Sequence, residues 1–451
     1  MSDVLAARAQ MAMSLAFHIV FAVIGIAMPV LMVLAERRWQ RTGDPIALEL
    51  AKRWAKGTAV LFAVGAVSGT VLSFELGLLW PSFMEWAGPI IGMPFSLEGF
   101  AFFTEAIFLG IYLYGWDRIS RRAHLWSGIA VAVSGAVSGI FVVIANAWMN
   151  APAGFRLVDG KPVDIDPIAA LGNAAAFSQT LHMTLAAYAA TGLAAAGVHA
   201  LFLLRGRDRA FHGVALRIAL LVGIPASLAQ PVSGHLSAQF VAANQPAKLA
   251  AMEGHWKTGA NAPLRIGGWP DEATETTRWS IDIPGALSFL AFNSTDAVVT
   301  GLRDIPRDER PPVAITHLAF QVMVACGTAM ALVSAWAIVV LVGRRPFVER
   351  RRFLRALVAC APLGFVAVEA GWVTTEVGRQ PWIIHGVMRT ADAVTPMPGL
   401  AVPFALFTAL YVLLSIVTAI ILGRQMLVVP KTPAAVRPVP TPPAAVPVAG
   451  D

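Results

Sequence analysis

Nine runs of apolar residues, each near or above the ~20 residues needed to cross a ~30 Å hydrocarbon layer, constrain this chain more than any other feature. They fall at about residues 11–35, 57–80, 95–115, 124–149, 176–204, 214–240, 312–342, 353–377 and 399–423. The expected fold is all-α: a polytopic membrane bundle of about nine transmembrane helices. Composition agrees, with 57% of the 451 residues hydrophobic and 14% charged, against roughly 25% charged in soluble domains. The first run, Met11 to Leu34, is too long for a signal-peptide core and has no basic segment before it, so it reads as a retained helix. Cys326 and Cys360 both lie inside apolar runs, which suggests neither a disulfide framework nor a cysteine metal site.

The connections are short except for 241–311, a polar stretch rich in Gly, Pro and Trp that reads as one large extramembrane loop. Residues 1–424 form the transmembrane domain, and 425–451 form a Pro-rich tail expected to be disordered. There is no internal repeat of the kind that marks inverted-repeat transporters. The net charge of +7 could suggest nucleic acid, but the basic residues gather at helix ends. Alternate connections and the tail hold 22 of the 34 lysines and arginines, among them Arg37, Arg38, Arg121, Arg122, Arg205 and Arg350. By the positive-inside rule the N-terminus and the 241–311 loop are outside and the C-terminus is cytoplasmic. No nucleic-acid partner is expected.

An ionisable group in mid-bilayer costs at least ~2.5 kcal/mol, so it usually faces the bundle interior and has a task. His18, Glu75, Glu98, Glu105, His182, Glu369 and Glu376 qualify. Glu98 and Glu105 are two helical turns apart, about 10.5 Å along one face. Glu369 and Glu376 repeat that spacing, with Trp372 on the same side between them. The bland alternative, structural pairing or an interfacial position, serves for single residues and best for Glu75, but poorly for the whole set. Two histidines on separate apolar helices, without cysteine or an HExxH motif, point toward haem rather than zinc, since haem iron takes His or a His/Met pair from facing helices. In the derived topology His18, Glu98, His182, Met323 and Glu376 lie in the outer half of the membrane. Glu105 lies two turns deeper, which makes Glu105 and Glu98 steps on an inward proton path.

At this point the sequence resembles a known family, subunit I of the cytochrome bd-type quinol oxidases, from near its N-terminus through the ninth run. The most specific motif is GRQPW at Gly378–Trp382, preceded by Trp372 and Glu376. EGFAFFTE at Glu98–Glu105, GWDR at Gly115–Arg118, IANAWM at Ile144–Met149 and the loop opening Gln245–Glu253 support it. The resemblance implies a haem-bearing subunit of a quinol:oxygen oxidoreductase in the bacterial inner membrane, with two b-type haems and a third of type d or b. His182 and Met323 would be the axial pair of a low-spin b haem. His18 and Glu376 would be ligands of the two high-spin haems, with Glu98 close by as ligand or proton donor. Trp372 would pack between haems, while Arg8 and Arg379 are candidates for haem propionates or site electrostatics. Glu105, Ser138 and Asn146 match proton-path positions. Lys248 and Glu253 match loop residues of quinol oxidation, where a carboxylate can act as general base. The family also implies a subunit II partner, a small single-span subunit in many complexes, and ubiquinol or menaquinol as substrate with oxygen as oxidant.

Lys248 and Met323 are 75 positions apart, which resembles the short-loop branch. Gln321 stands where some relatives carry Arg, as in the branch called cyanide-insensitive. Two other readings compete. A proton-coupled transporter would use the carboxylates but leave His18, His182 and GRQPW without a role. A b-type electron-transfer cytochrome would need His182 and Met323 and leave His18 and Glu376 idle. A cofactor-free structural subunit explains least.

Overall fold

The structure, a computed structural model, describes residues 2–343 and 346–427. Of the tail expected to be disordered over 425–451, residues 425–427 instead continue the last helix, and 428–451 lie outside the described residues. Among those described, nine helical spans are long and apolar enough to cross a membrane. The all-α expectation holds, and the chain is a multi-pass membrane protein.

The first four spans are α1 (Asp3–Thr42), α2 (Pro45–Leu79), α3 (Pro81–Tyr114) and α4 (Arg121–Asn150). Local chemistry sets their ends. Ser2, Asp44 and Ser120 cap the N-termini of α1, α2 and α4 by accepting backbone N–H groups. Pro45 and Pro81 open α2 and α3, where a missing N–H is harmless. Gly43 stops α1 with φ of 69°, a left-handed C-cap that glycine adopts without strain. A hairpin, β1 (Arg156–Val158) with β2 (Lys161–Val163), and a short α5 (Pro167–Leu171) then lead to the spans α6 (Ala176–Leu204) and α7 (Arg209–Asn244).

The 241–311 loop is folded. It contains α8 (Pro246–Met252), the antiparallel pair β3 (Leu264–Asp271) and β4 (Thr276–Ile283), and α9 (Ala286–Phe292). The β3–β4 register runs from Leu264 opposite Ile283 to Asp271 opposite Thr276. Span seven is α10 (Val313–Val342). Span eight, read as one helix, is two: α11 (Arg351–Cys360) and α12 (Leu363–Val377), separated at Pro362. A proline there has no N–H for the helical ladder. The strands β5 (Trp382–Ile384) and β6 (Met388–Arg389), the turn α13 (Thr390–Ala393) and the last span α14 (Ala401–Leu427) complete the chain.

Neighbouring spans pack as pairs: α1 on α2, α3 on α4, α6 on α7, and α10 on α12. Small residues make this close. A Cβ on Gly192 of α6 would lie 2.7 Å from the backbone of Gly223 on α7. Backbone approach of that kind drives helix association where lipid tails remove the hydrophobic contrast. One end of the bundle carries the folded loop and the β5–β6 hairpin, and is called the loop face below. The other end carries the Arg-rich connections.

Candidate functional site

On α1, Gln10, Ser14 and His18 are spaced four apart and face α2. Glu75 is buried there, and its Oε1 accepts from Gln10 Nε2 and Ser14 Oγ, each at 2.9 Å. Two turns earlier on α2, Ser68 Oγ meets His18 Nδ1 at 2.9 Å. The Ser68 hydroxyl has one proton, and it is directed to the carbonyls of Val64 and Gly65 at 3.0 and 3.1 Å. With that proton on a carbonyl, Ser68 would accept from the ring, an arrangement that suits His18 with its proton on Nδ1 and its lone pair on Nε2. Gly69 lets the ring lie against α2: a Cβ there would be 3.0 Å from His18 Cε1.

His182 on α6 repeats the device. Ser233 on α7 gives its proton to the carbonyl of Gln230 and meets His182 Nδ1 at 3.0 Å. The Gln230 amide nitrogen lies beside the ring, 3.3 Å from Nδ1 and 3.2 Å from Nε2, and donates to the His182 carbonyl at 3.1 Å. A Cβ on Gly234 would be 3.4 Å from the His182 ring, and one on Gly371 of α12 would be 3.1 Å from Met323 Sδ. Both proposed members of the His/Met pair thus lie against glycine. Trp372 joins an apolar cluster that contains Ile19 and Met183, the neighbours of the two histidines.

The carboxylates on α3 face α4. Glu98 Oε1 accepts from Ser138 at 3.2 Å, and buried Glu105 lies where a Cβ on Gly135 would be 3.0 Å from its Oε1. Near the loop end of α4, Asn146 donates to Glu376 Oε1 at 2.6 Å, and the other Glu376 oxygen accepts from Arg379. Arg379 is 3% exposed, yet its Nε and Nη1 have no partner among the described residues. Glu369 Oε1 is likewise buried and without a partner there.

Lys248 and Glu253, five residues apart across α8, are both buried but serve different surroundings. Lys248 Nζ donates to Asn150 Oδ1 at 2.7 Å, and its stem passes Gly378 so closely that a Cβ there would be 3.1 Å away. Burial, with Arg379 nearby, lowers the Lys248 pKa to about 7 against a pull from Glu376. Glu253 ends α8 beside Arg265. Burial raises its pKa to about 8, which Arg265 and a backbone hydrogen bond at Arg265 only partly oppose. A cavity of about 230 Å³ opens beside α8, lined by Lys248, Arg379, Gln380, Trp382 and His385 among others. A larger cavity of about 310 Å³ lies on the Arg-rich face, lined by Lys52, Lys56 and by Trp116, Asp117 and Arg118 of the GWDR motif.

The structure therefore draws Glu376, Arg379, Asn146 and Lys248 into one network, pairs Glu98 with Ser138, and gives His18 and His182 matching serine partners. Arg8 stands apart, exposed on α1. Sequence reasoning passed over Ser68, Ser233, Gln230, Asn150 and His385. A serine in an apolar helix ordinarily bonds its own i−4 carbonyl, so nothing in the sequence marks the two that also receive a histidine.

Fold and residues together define a multi-pass helical membrane protein with a polar site between its spans and a folded loop at one end. Residues 6–430 match the family described as cytochrome bd terminal oxidase subunit I. A Bacillus subtilis (strain 168) protein provisionally named cytochrome bd menaquinol oxidase subunit I is 38% identical, over 92% of this chain and 94% of that one. The cytochrome bd ubiquinol oxidase subunit 1 of the same strain is 32% identical, over 88% and 87%. A chain in the structure of the bd oxidase from Geobacillus thermodenitrificans superposes with a TM-score of 0.89 at 40% identity, covering 94% of this chain and 98% of that one. The chain belongs to the cytochrome bd terminal oxidase subunit I family.

Proposed function

We propose that this chain is the haem-bearing subunit of a terminal respiratory quinol oxidase in a bacterial inner membrane. It oxidises ubiquinol or menaquinol at the loop face, outside, and reduces oxygen to water with protons drawn from the cytoplasmic, Arg-rich face, so that charge is separated across the membrane. The observation that carries this reading is the matching serine partner of His18 and His182, each Nδ1 lying against a serine hydroxyl at 2.9 and 3.0 Å. Each serine has a helical carbonyl to donate to, so a proton on Nδ1 would suit both rings and leave on Nε2 the lone pair with which histidine ligates a metal.

The residues fit haem. Glycines at 69, 234 and 371 leave His18, His182 and Met323 unobstructed at their helix contacts. The unpartnered Nε and Nη1 of buried Arg379 suit an anionic propionate. His182 and Met323 would hold a low-spin b haem, and His18 and Glu376 would hold two high-spin haems, one b and one d or b, with Glu98 beside them. When bound, a haem held by His182 and Met323 would supply electron transfer, and the haems held by His18 and Glu376 would supply the chemistry of oxygen reduction.

The chain's own residues handle the protons. Glu253 and Lys248, with pKa values of about 8 and 7, exchange protons near ambient pH, as a general base for quinol oxidation requires. Glu105, then Glu98 with Ser138, supply the inward route on α3 and α4, and Asn146 continues it to Glu376. Trp372 packs between the haem positions. The partner expected is a subunit II, with a small single-span subunit as a further member. The testing experiment is a reduced-minus-oxidised visible spectrum of the purified complex followed by carbon monoxide. Low-spin b bands with a carbon monoxide response are expected. A colourless protein would end the proposal, and a low-spin signal without that response would leave a simple electron-transfer cytochrome.

A further inference from the structure

Lys248 and Glu376, on opposite sides of the loop-face network, are joined by two side-chain amides, Asn150 buried and Asn146 half-buried. Lys248 Nζ donates to Asn150 Oδ1 at 2.7 Å. Asn150 Nδ2 donates to Asn146, to its carbonyl at 3.1 Å and its Oδ1 at 3.3 Å. Asn146 Nδ2 donates to Glu376 Oε1 at 2.6 Å. The ends fix the direction of the chain. An ammonium only donates and an ionised carboxylate only accepts, so Asn150 turns its oxygen to Lys248 and its NH₂ to Asn146, and Asn146 turns its NH₂ to Glu376. Each link polarises the next in the same sense, and at low dielectric such series strengthen cooperatively. Asn150 is 1% exposed, and Gln245 Nε2 holds its backbone carbonyl at 2.9 Å and its Oδ1 at 3.3 Å.

The two ends face different chemistry. Lys248 lines the 230 Å³ cavity together with Arg379, Gln380 and His385. His385 Nδ1 is buried and without a partner among the described residues, so the cavity wall holds an unused polar atom. We infer that Asn150 is a positioning residue that makes the loop cavity and Glu376 one electrostatic unit. A quinone-class ligand seated against Lys248 draws on the same ammonium that polarises Asn150. It thereby alters the hydrogen bond received by Glu376. The inference rests on the oxidase reading, with Glu376 as a haem ligand.

The test adds a 2-alkyl-4-hydroxyquinoline N-oxide, a quinone-like probe, to the solubilised holoenzyme and records the haem difference spectrum. In the wild type, a saturable shift of a high-spin haem band is expected. Asn150→Asp keeps an acceptor for Lys248 but removes the donor to Asn146. Its probe Kd should stay within about threefold of the wild type, the scale of one modest hydrogen-bond change, while the band shift falls by more than half. Asn150→Leu, similar in size and lacking both links, should also lose the shift, and it serves where the aspartate disturbs folding. Probe binding with an undiminished shift in either variant would overturn the inference, as would a wild type that binds the probe without any shift. A wild type with haem but no probe binding would refute the role of the cavity. Absence of haem bands would instead refute the oxidase reading beneath it.

Discussion

Ser68 Oγ on α2 lies 2.9 Å from His18 Nδ1 on α1 and has the carbonyls of Val64 and Gly65 to donate to, so it is placed to accept a proton-bearing Nδ1. A hydrogen bond of this kind raises the basicity of the ligating nitrogen and favours the oxidised metal. Ser68→Ala should therefore raise the midpoint potential of the haem held by His18 by about 60 mV, a tenfold change in the one-electron equilibrium. Ser233→Ala should do the same to the haem held by His182. Spectroelectrochemical titration measures both. Potentials unchanged in both variants would show that the serines do not tune the rings.

His182 and Met323 stand on α6 and α10, each against a glycine of a neighbouring span. His182→Ala should abolish the low-spin b signal and spare the carbon monoxide response of the oxygen site. Met323→Ala should open one axial position, so that carbon monoxide now binds a haem that formerly excluded it. Retention of the low-spin spectrum in His182→Ala would remove that residue from the ligand set.

The spans, their number and the deep ionisable residues were legible in the sequence because membrane physics makes length and charge decisive. GRQPW led to Glu376 and Arg379, which do share one network. What stayed hidden depends on cross-helix geometry. Ser68 and Ser233 look like ordinary helical serines, and Asn150 resembles a span-end polar residue until Lys248 is seen to fold back upon it. Proline 362 divided a run that hydropathy alone reads as continuous. The loop, expected to be one polar stretch, carries the two short helices α8 and α9 and a hairpin held by pairings such as Ile266 with Ile281. The four residues that join the strands, 272–275, contain no Gly, Pro or Asn to mark the turn.

Glu253 sets the expected pH response of quinol oxidation. With its pKa at about 8, it is mostly protonated at pH 7 and gains proton-accepting capacity as pH rises. Lys248, at about 7, changes in the same direction. The kcat/KM for quinol should therefore climb between about pH 6 and 9. Glu253→Gln should lose the upper part of that climb and about 100-fold in quinol turnover, the lower range for a general base, with haem content unchanged. Loss of haem would assign Glu253 a structural role, and an unaltered pH profile would remove it as the base.

His317 and Gln321, one turn apart on α10, fasten the loop to the bundle. The His317 ring faces the carbonyls of Met252 and Gly267 at 2.8 and 3.1 Å. Gln321 accepts from the Gly267 N–H at 2.9 Å and donates to the Arg265 carbonyl at 3.0 Å. These contacts bind β3 and the end of α8, and hence Glu253, to the helix that carries Met323. Met323 itself is turned about 200° from Gln321 on a regular helix, toward α12. A His317→Leu, Gln321→Leu double substitution removes bonds worth roughly 1 kcal/mol each, so loop opening should become at least tenfold more frequent. Limited trypsin digestion at Arg265 and Arg278 should accelerate accordingly, and the quinol KM should rise. The low-spin haem spectrum should remain, because Met323 faces the opposite side. Unchanged proteolysis would show that the loop is held elsewhere, and loss of the low-spin band would show that α10 does not hold its two faces independently.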